Sequence, residues 1–308
     1  MPRGGKAEKA MVPEAQFRSY YDRPVLNEPV WKWYVPAYFF AGGLAAGSAM
    51  MAAGADLIGR PDIARRARIA AAAAVTVGSG LLAADLGRPT RFLNMLRVAK
   101  VTSPMSVGSW VLVMFAPSAG VAALTDVLGV FPRIGRAAGL AAAALAPALG
   151  SYTAVLLADT AVPAWHEAGR ELPFLFLGGA SAATGALGVM LAPIEDAAPA
   201  RRLALLGGTI EMCAARAMER NLPHEVSRPY RAGRAGNLTK AAFGLTAAGT
   251  ALIGSLGRRR RAGAVVGGAL LMAGAVLERY AVVDAGKISA RDPGATIVPQ
   301  RQRVDAQA

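Results

Sequence analysis

Four stretches of this chain carry no charged residue: Trp33 to Ala55, Val101 to Thr125, Ala137 to Ala158 and Leu172 to Ile194. Each exceeds the roughly 18 apolar residues that mark a bilayer-spanning helix. They exclude a soluble globular chain, and they exclude disorder. A spanning β-barrel needs alternating strands, and no such alternation appears. Gly and Ala are abundant instead, and small residues let helices pack closely in lipid. The fold class expected is an all-α integral membrane protein.

Four further apolar segments bring the expected number of transmembrane helices to eight. The second span runs from about Ile69 to Ala84, the seventh from Ala241 to Leu256 and the eighth from Ala262 to Leu277. These are short and need their flanks to reach both interfaces. The sixth, Ala200 to Leu222, carries Glu211 and Arg216 within it. An even count puts both termini on one side and permits two four-helix bundles. Phe40-Ala41-Gly42-Gly43 matches Phe176-Leu177-Gly178-Gly179 at an offset of 136, and Ala64-Arg65-Arg66 matches Ala200-Arg201-Arg202 at the same offset. A shared offset of this kind reads as a parallel repeat about the membrane normal. The expected organisation is a polar N-terminal arm at 1–30, bundles at 31–165 and 166–286, and a polar tail at 287–308. The arm lacks the apolar core of a cleavable signal peptide.

Composition narrows the chemistry. The chain has one cysteine, Cys213, and two histidines, His166 and His224. That leaves no material for a disulfide framework or for an iron–sulfur cluster of its own, and both histidines lie beside proline in loops rather than on facing helices, so haem is not expected. A net charge of +14 would suggest nucleic acid in a soluble chain. Here the basic residues sit between apolar spans, where they set membrane orientation, and no nucleic-acid partner is expected.

One face carries the polar chemistry. The side holding both termini (the near side) receives all four tryptophans, both histidines and, with Tyr152 counted there, all seven tyrosines. The far-side loops hold no His, Trp or Tyr. An aromatic belt would mark both interfaces, so the asymmetry points to a functional face. Its loops contain Asp85 and Arg88 to Arg91, Asp159 to Glu167, and Glu219 to Tyr230. Arg88, His166, His224 and Arg228 are the candidates for docking a soluble protein. Glu211 lies within a span, where a carboxylate is costly and is a functional hypothesis by default. It either relays protons or pairs structurally, for instance with Arg216. Asp159 is a second candidate for proton transfer, or is simply hydrated at the interface.

At these residues the chain resembles the NrfD-like membrane subunits of the polysulfide reductase type. The resemblance rests on WYVPAYFFAGGLAAG from Trp33 to Gly47, on DLGRPTRF after the second span, on SPMS at the start of the third, and on Tyr152-Thr153 to Trp165. It covers about Trp31 to Gly286. It implies a haem-free, two-bundle subunit with a menaquinone or ubiquinone site on the face that docks an iron–sulfur subunit, itself attached to a molybdopterin catalytic subunit. By position, Tyr38 and Tyr152 match quinone-contacting residues, and Asp85 and Arg91 match the polar turn beside them. Tyr38 departs from the pattern, because a histidine can occupy that place. A phenol still donates to a quinone carbonyl, but it shuttles protons poorly at neutral pH.

The chain's own chemistry agrees with that implication. Quinone reduction needs a lipid-accessible cleft, placed donors and a proton route. With no redox centre of its own, the chain needs electrons from a docked partner, and is a non-autonomous subunit. Two other classes stand beside this reading: a structural anchor, and a small-solute or proton transporter. The far loops carry 12 Lys and Arg in short segments against about 11 around the longer near loops. The positive-inside rule then puts the near side and both termini outside the cytoplasmic (inner, plasma) membrane.

Overall fold

The computed structural model describes residues 24–86 and 94–305. Arg88 and Arg91 lie outside the described residues. Among the described residues there are eleven α-helices and no strand: α1 (Tyr34–Leu57), α2 (Pro61–Asp85), α3 (Pro104–Leu128), α4 (Pro132–Ala158), α5 (Pro163–His166), α6 (Leu172–Leu191), α7 (Ala198–Asn221), α8 (His224–Arg231), α9 (Gly233–Gly254), α10 (Arg261–Arg291) and α11 (Pro293–Asp305). Their starts are legible locally. Proline occupies the first helical turn of α2, α3, α4, α6 and α7, where its missing N–H costs nothing. Ser103 caps α3 by accepting from the Ser106 amide, and Gly129 ends it at φ 67°.

Eight of these helices are long, and six of them, α1, α2, α3, α4, α6 and α10, are long and apolar enough to cross a membrane. The polar residues of α7 (Glu211, Arg216) and α9 (Asn237, Lys240) keep those two outside that set. Several boundaries differ from expectation, and the seventh span begins at Gly233 rather than near Ala241. The second span begins at Pro61 rather than near Ile69, and the eighth continues to Arg291 rather than stopping near Leu277. Charges read as span ends are carried inside helices, because tertiary partners receive them. Residues 293–305, expected within a polar tail, form α11.

Each long helix packs most closely on its neighbour in sequence, and the pattern of neighbours occurs twice. Helix α1 lies against α2 and α4, and α3 lies against the same two. Likewise α6 lies against α7 and α10, and α9 against the same two. The two sets meet chiefly through α1 on α6, with α4 on α6 and α1 on α10 beside them. The α6–α7 approach is close enough that a Cβ on Gly207 would lie 2.7 Å from the Gly178 carbonyl oxygen, so only glycine permits it.

The two ends of the helical body differ. At the far end, arginines satisfy carbonyls that helix C-termini leave orphaned. Arg66 donates to Leu191 O at 2.6 Å, and Arg261 donates to Val189 O at 3.0 Å and Ala192 O at 2.7 Å. Arg68, within α2, bridges Asp56 and Asp126 at the ends of α1 and α3. Much of the far-side basic charge is therefore structural. At the near end the arm before α1 and the short helices α5, α8 and α11 form a cap. Trp165 is fully buried, stacks on Trp31 at 5.1 Å, and donates its indole N–H to Val282 O at 2.7 Å. Glu28 pairs with Arg291 at 2.6 Å, which holds the N-terminal arm against the end of α10.

Candidate functional site

Helices α1 and α4 pack together, and they bring Tyr38 and Tyr152 to one place. The two phenol oxygens are hydrogen-bonded to each other. Tyr38 is 3% exposed and Tyr152 half-buried. The Tyr152 ring fills the space over Gly108 on α3, where any Cβ would overlap it. From the helix rise, Tyr38 lies about 6 Å inside the near end of α1 and Tyr152 about 9 Å inside that of α4. Two hydroxyls bonded to each other consume one O–H and leave the other as a free donor. The pair therefore offers a single hydrogen bond to a third group, from within an apolar wall that includes Phe39 and Leu149.

Beside Tyr38 on α1, residues Ala37, Ala41 and Leu44 face a groove of about 440 Å³ shared with Val77, Leu81 and Tyr280. The groove is lined almost wholly by apolar side chains and runs between α1, α2, α6 and α10. Tyr38 and Tyr152 themselves do not line the groove.

The other residues singled out from the sequence are placed less uniformly. Asp85 is the last residue of α2 and half-buried. Arg91, expected next to it, and Arg88, expected to dock a partner, are outside the described residues. Asp159 follows α4 and is exposed, so it sits at the near interface, about 10 Å along the chain axis from Tyr152. His166 and His224 were expected in loops. They instead close α5 and open α8, because Pro163 and Pro223 set up helical turns there. Both are exposed, as is Arg228. Among the described residues no group of three or more His, Cys, Asp and Glu side chains gathers as metal ligands would.

Glu211 has partners other than the one proposed from sequence. Arg216 points outward over the Phe243 ring, 4.5 Å from its centroid, and its nearest acid is Glu219 at 3.9 Å. The buried Glu211 instead accepts from Thr246 Oγ1 at 3.5 Å, and it shares the interior of the second helix set with Glu278 and Arg279. Glu278 and Arg279 are paired to each other. Arg279 also donates to Phe176 O at 2.7 Å, with its guanidinium carbon 3.9 Å from the Phe176 ring centroid.

Sequence reasoning missed Glu278 and Arg279 by taking them for the end of the eighth span. The signal was present beyond them. Val282, Gly286 and Ser289, with Ala281, Ala285 and Ala290, continue an apolar or small stripe at helical spacing. Tyr230, in the near-end cap, lines the cavity that reaches Glu211 and Glu278. Tyr230 donates to Ala164 O at 3.3 Å. Burial first, and the Glu278 charge second, hold its phenol well above the ordinary tyrosine range, so it remains a donor.

A family model described as polysulphide reductase, NrfD, matches residues 24–215. That stretch includes both tyrosines, Asp85, Asp159, His166 and Glu211, and ends before α8, α9 and α10. No curated protein matches the chain.

Proposed function

The chain belongs to the NrfD polysulphide reductase family, and from that premise we propose that it is the haem-free quinone-binding membrane subunit of a multi-subunit oxidoreductase. It exchanges electrons between membrane quinone and an iron–sulfur subunit, which links it to a molybdopterin catalytic subunit. The membrane character rests on six apolar helices of spanning length together with the family. On the same reading α7 and α9 complete eight spans, and the repeated pattern of neighbours is two four-helix bundles, 31–165 and 166–286, related by a parallel repeat.

The observation that carries the proposal is the buried Tyr38–Tyr152 hydroxyl pair. A bound quinone supplies a two-electron, two-proton couple. The residues fit such a head group: one free phenolic O–H meets a carbonyl oxygen, the surrounding wall is apolar, and the adjacent groove accepts an isoprenoid tail. Tyr38 and Tyr152 orient the head group and exclude water from one side of it. Asp85, at the end of α2, gives the site a polar edge towards the near side, and the family resemblance assigns Arg91, outside the described residues, to the same role. Asp159 and Glu211 exchange protons, Asp159 at the interface and Glu211 from the second helix set. His166, His224 and Arg228, exposed on the near face, dock the iron–sulfur subunit, together with Arg88, which lies outside the described residues. The near face and both termini lie outside the cytoplasmic membrane.

The test is Tyr→Phe at 38 and 152, singly and together, which removes a hydroxyl and little volume. Loss of a donor to the head group should cost about 1–3 kcal/mol, read as a roughly 5- to 150-fold weaker response to short-chain quinone analogues. Complex assembly should be unchanged. Parental quinone binding and turnover in the double variant would move the pocket elsewhere.

A further inference from the structure

The second helix set holds an arrangement that the tyrosine pair does not use. Glu211, Glu278 and Arg279 are 3%, 7% and 2% exposed. They lie near mid-depth, with Glu211 about 15 Å along α7 from its near end. Arg279 is fixed by Glu278, by the Phe176 carbonyl and by the Phe176 ring. A Cβ built on Gly179 would lie 3.2 Å from both Arg279 Nη2 and Glu211 Oε1, so the second carboxylate flanks the same guanidinium. Two carboxylates against one guanidinium leave a net charge of minus one in an apolar interior, which is strongly disfavoured. One proton shared by the two acids makes the cluster neutral.

The cluster also borders a cavity on one side. Glu278 Oε1 has no hydrogen-bond partner although it is buried. Glu211, Glu278 and Thr246 line the deep end of a cavity of about 40 Å³, whose other end is lined by Glu219, Tyr230 and Thr239. At about 15 Å³ for one water, that volume admits two or three. The groups that face the acids are few. Helix α10 contributes Arg279, α6 contributes Leu175 with the Phe176 ring and carbonyl, α8 contributes Tyr230, α9 contributes Thr239 and Thr246, and α7 adds Glu219 at the mouth. Beyond the acids, towards the far end, the same helices close into an apolar plug that includes Ala182, Val189, Ala204, Ile253 and Leu271. Polar side chains line the cavity on its near side, whereas in the plug the Thr250 hydroxyl, buried beside Leu271, has no hydrogen-bond partner and does not line the cavity.

We propose that Glu211 and Glu278 hold one exchangeable proton between them, and that it enters and leaves only through the near-side cleft past Thr246, Tyr230 and Glu219. The site is thus a proton store open to the face that carries the near-side cap, rather than part of a continuous path across the membrane. This deepens the proton role given above to Glu211. It requires the membrane placement, and it requires neither a quinone nor a partner subunit.

Infrared spectra of the full chain reconstituted in lipid test the store. Near neutral pH the parent should show one protonated carboxyl C=O band that shifts in D2O. Glu211→Gln and Glu278→Gln should each lose it, because the remaining carboxylate is then balanced by Arg279. Absence of the band in the parent, or its persistence in both variants, would overturn the shared proton. Should a glutamine variant fail to fold, the parent spectrum and the labelling below still decide. In a Cys213→Ala background, Thr239→Cys, at the mouth of the cavity, should react with a small impermeant thiol reagent from the near side. Ala204→Cys should react from neither side. Labelling of Thr239→Cys or Ala204→Cys from the far side would overturn the one-sided access. Quinone titrations are not involved, so failure here and failure of the quinone site are separate results.

Discussion

Replacing Arg279 by methionine tests whether the buried charges of the second helix set hold the fold together. Methionine keeps the length and most of the volume. It removes the pairing with Glu278, the hydrogen bond to Phe176 O at 2.7 Å and the cation over the Phe176 ring at 3.9 Å. It leaves Glu278 and Glu211 in the same interior with no cation. Removing one member of a buried ion pair costs about 3–5 kcal/mol, or roughly two to three and a half orders of magnitude in the ratio of folded to unfolded protein. If the guanidinium only filled space, a volume-conserving swap would cost less than about 1.5 kcal/mol. The two sizes are separable. The assay is tryptophan emission as the purified chain is titrated from a mild detergent into a denaturing one. Trp165, buried and stacked on Trp31 near α10, reports the loss of packing. Adding Glu278→Gln to Arg279→Met should recover part of the deficit, the coupling expected of a true pair. An Arg279→Met variant as stable as the parent, or a double variant less stable than the single one, would refute the reasoning.

The remaining predictions concern the near face. Trp165→Ala should destabilise the cap by about 3–5 kcal/mol, since the ring is fully buried and its N–H is bonded to Val282 O; faster proteolysis at α5, α8 and α11, with α1 to α4 intact, would be the readout. Crosslinkers at His166 and Arg228 should capture the iron–sulfur subunit in the assembled complex, whereas crosslinkers at Arg66 and Arg259 should not. Equal capture from both ends would remove the docking assignment. The purified chain should show no b-type haem absorbance, and a stoichiometric haem spectrum would contradict the proposed subunit type.

The all-helical, multi-pass character was legible in the sequence, because the hydrocarbon layer imposes its length and apolarity one segment at a time. Trp33 to Ala55 must span whatever its neighbours do. The concentration of Trp, Tyr and His towards one end was equally legible, as was the motif stretch that carries the family. Span limits were not. The expected bounds leave Arg65, Arg66 and Arg68 outside the second span and Glu278 with Arg279 outside the eighth. A charge ends a span only if nothing receives it. Asp56, Asp126 and the Leu191 carbonyl receive the arginines of α2, and the Phe176 carbonyl receives Arg279.

What the sequence determined by itself is therefore whatever depends on one helix and its solvent: that the chain enters a membrane, and which ends of its helices are polar. Which polar groups meet was decided only by tertiary packing. Tyr38 and Tyr152 stand 114 residues apart and touch because α1 lies on α4. Glu211 meets Thr246 and the Arg279 cluster on neighbouring helices, not Arg216, which stands five residues on along its own helix and faces another side. On a membrane helix the side facing lipid and the side facing protein carry similar apolar residues, so periodicity alone does not say which way a side chain points. The small residues that let helices approach, Gly207 against Gly178 above all, settle that orientation, and with it the partner of every buried charge.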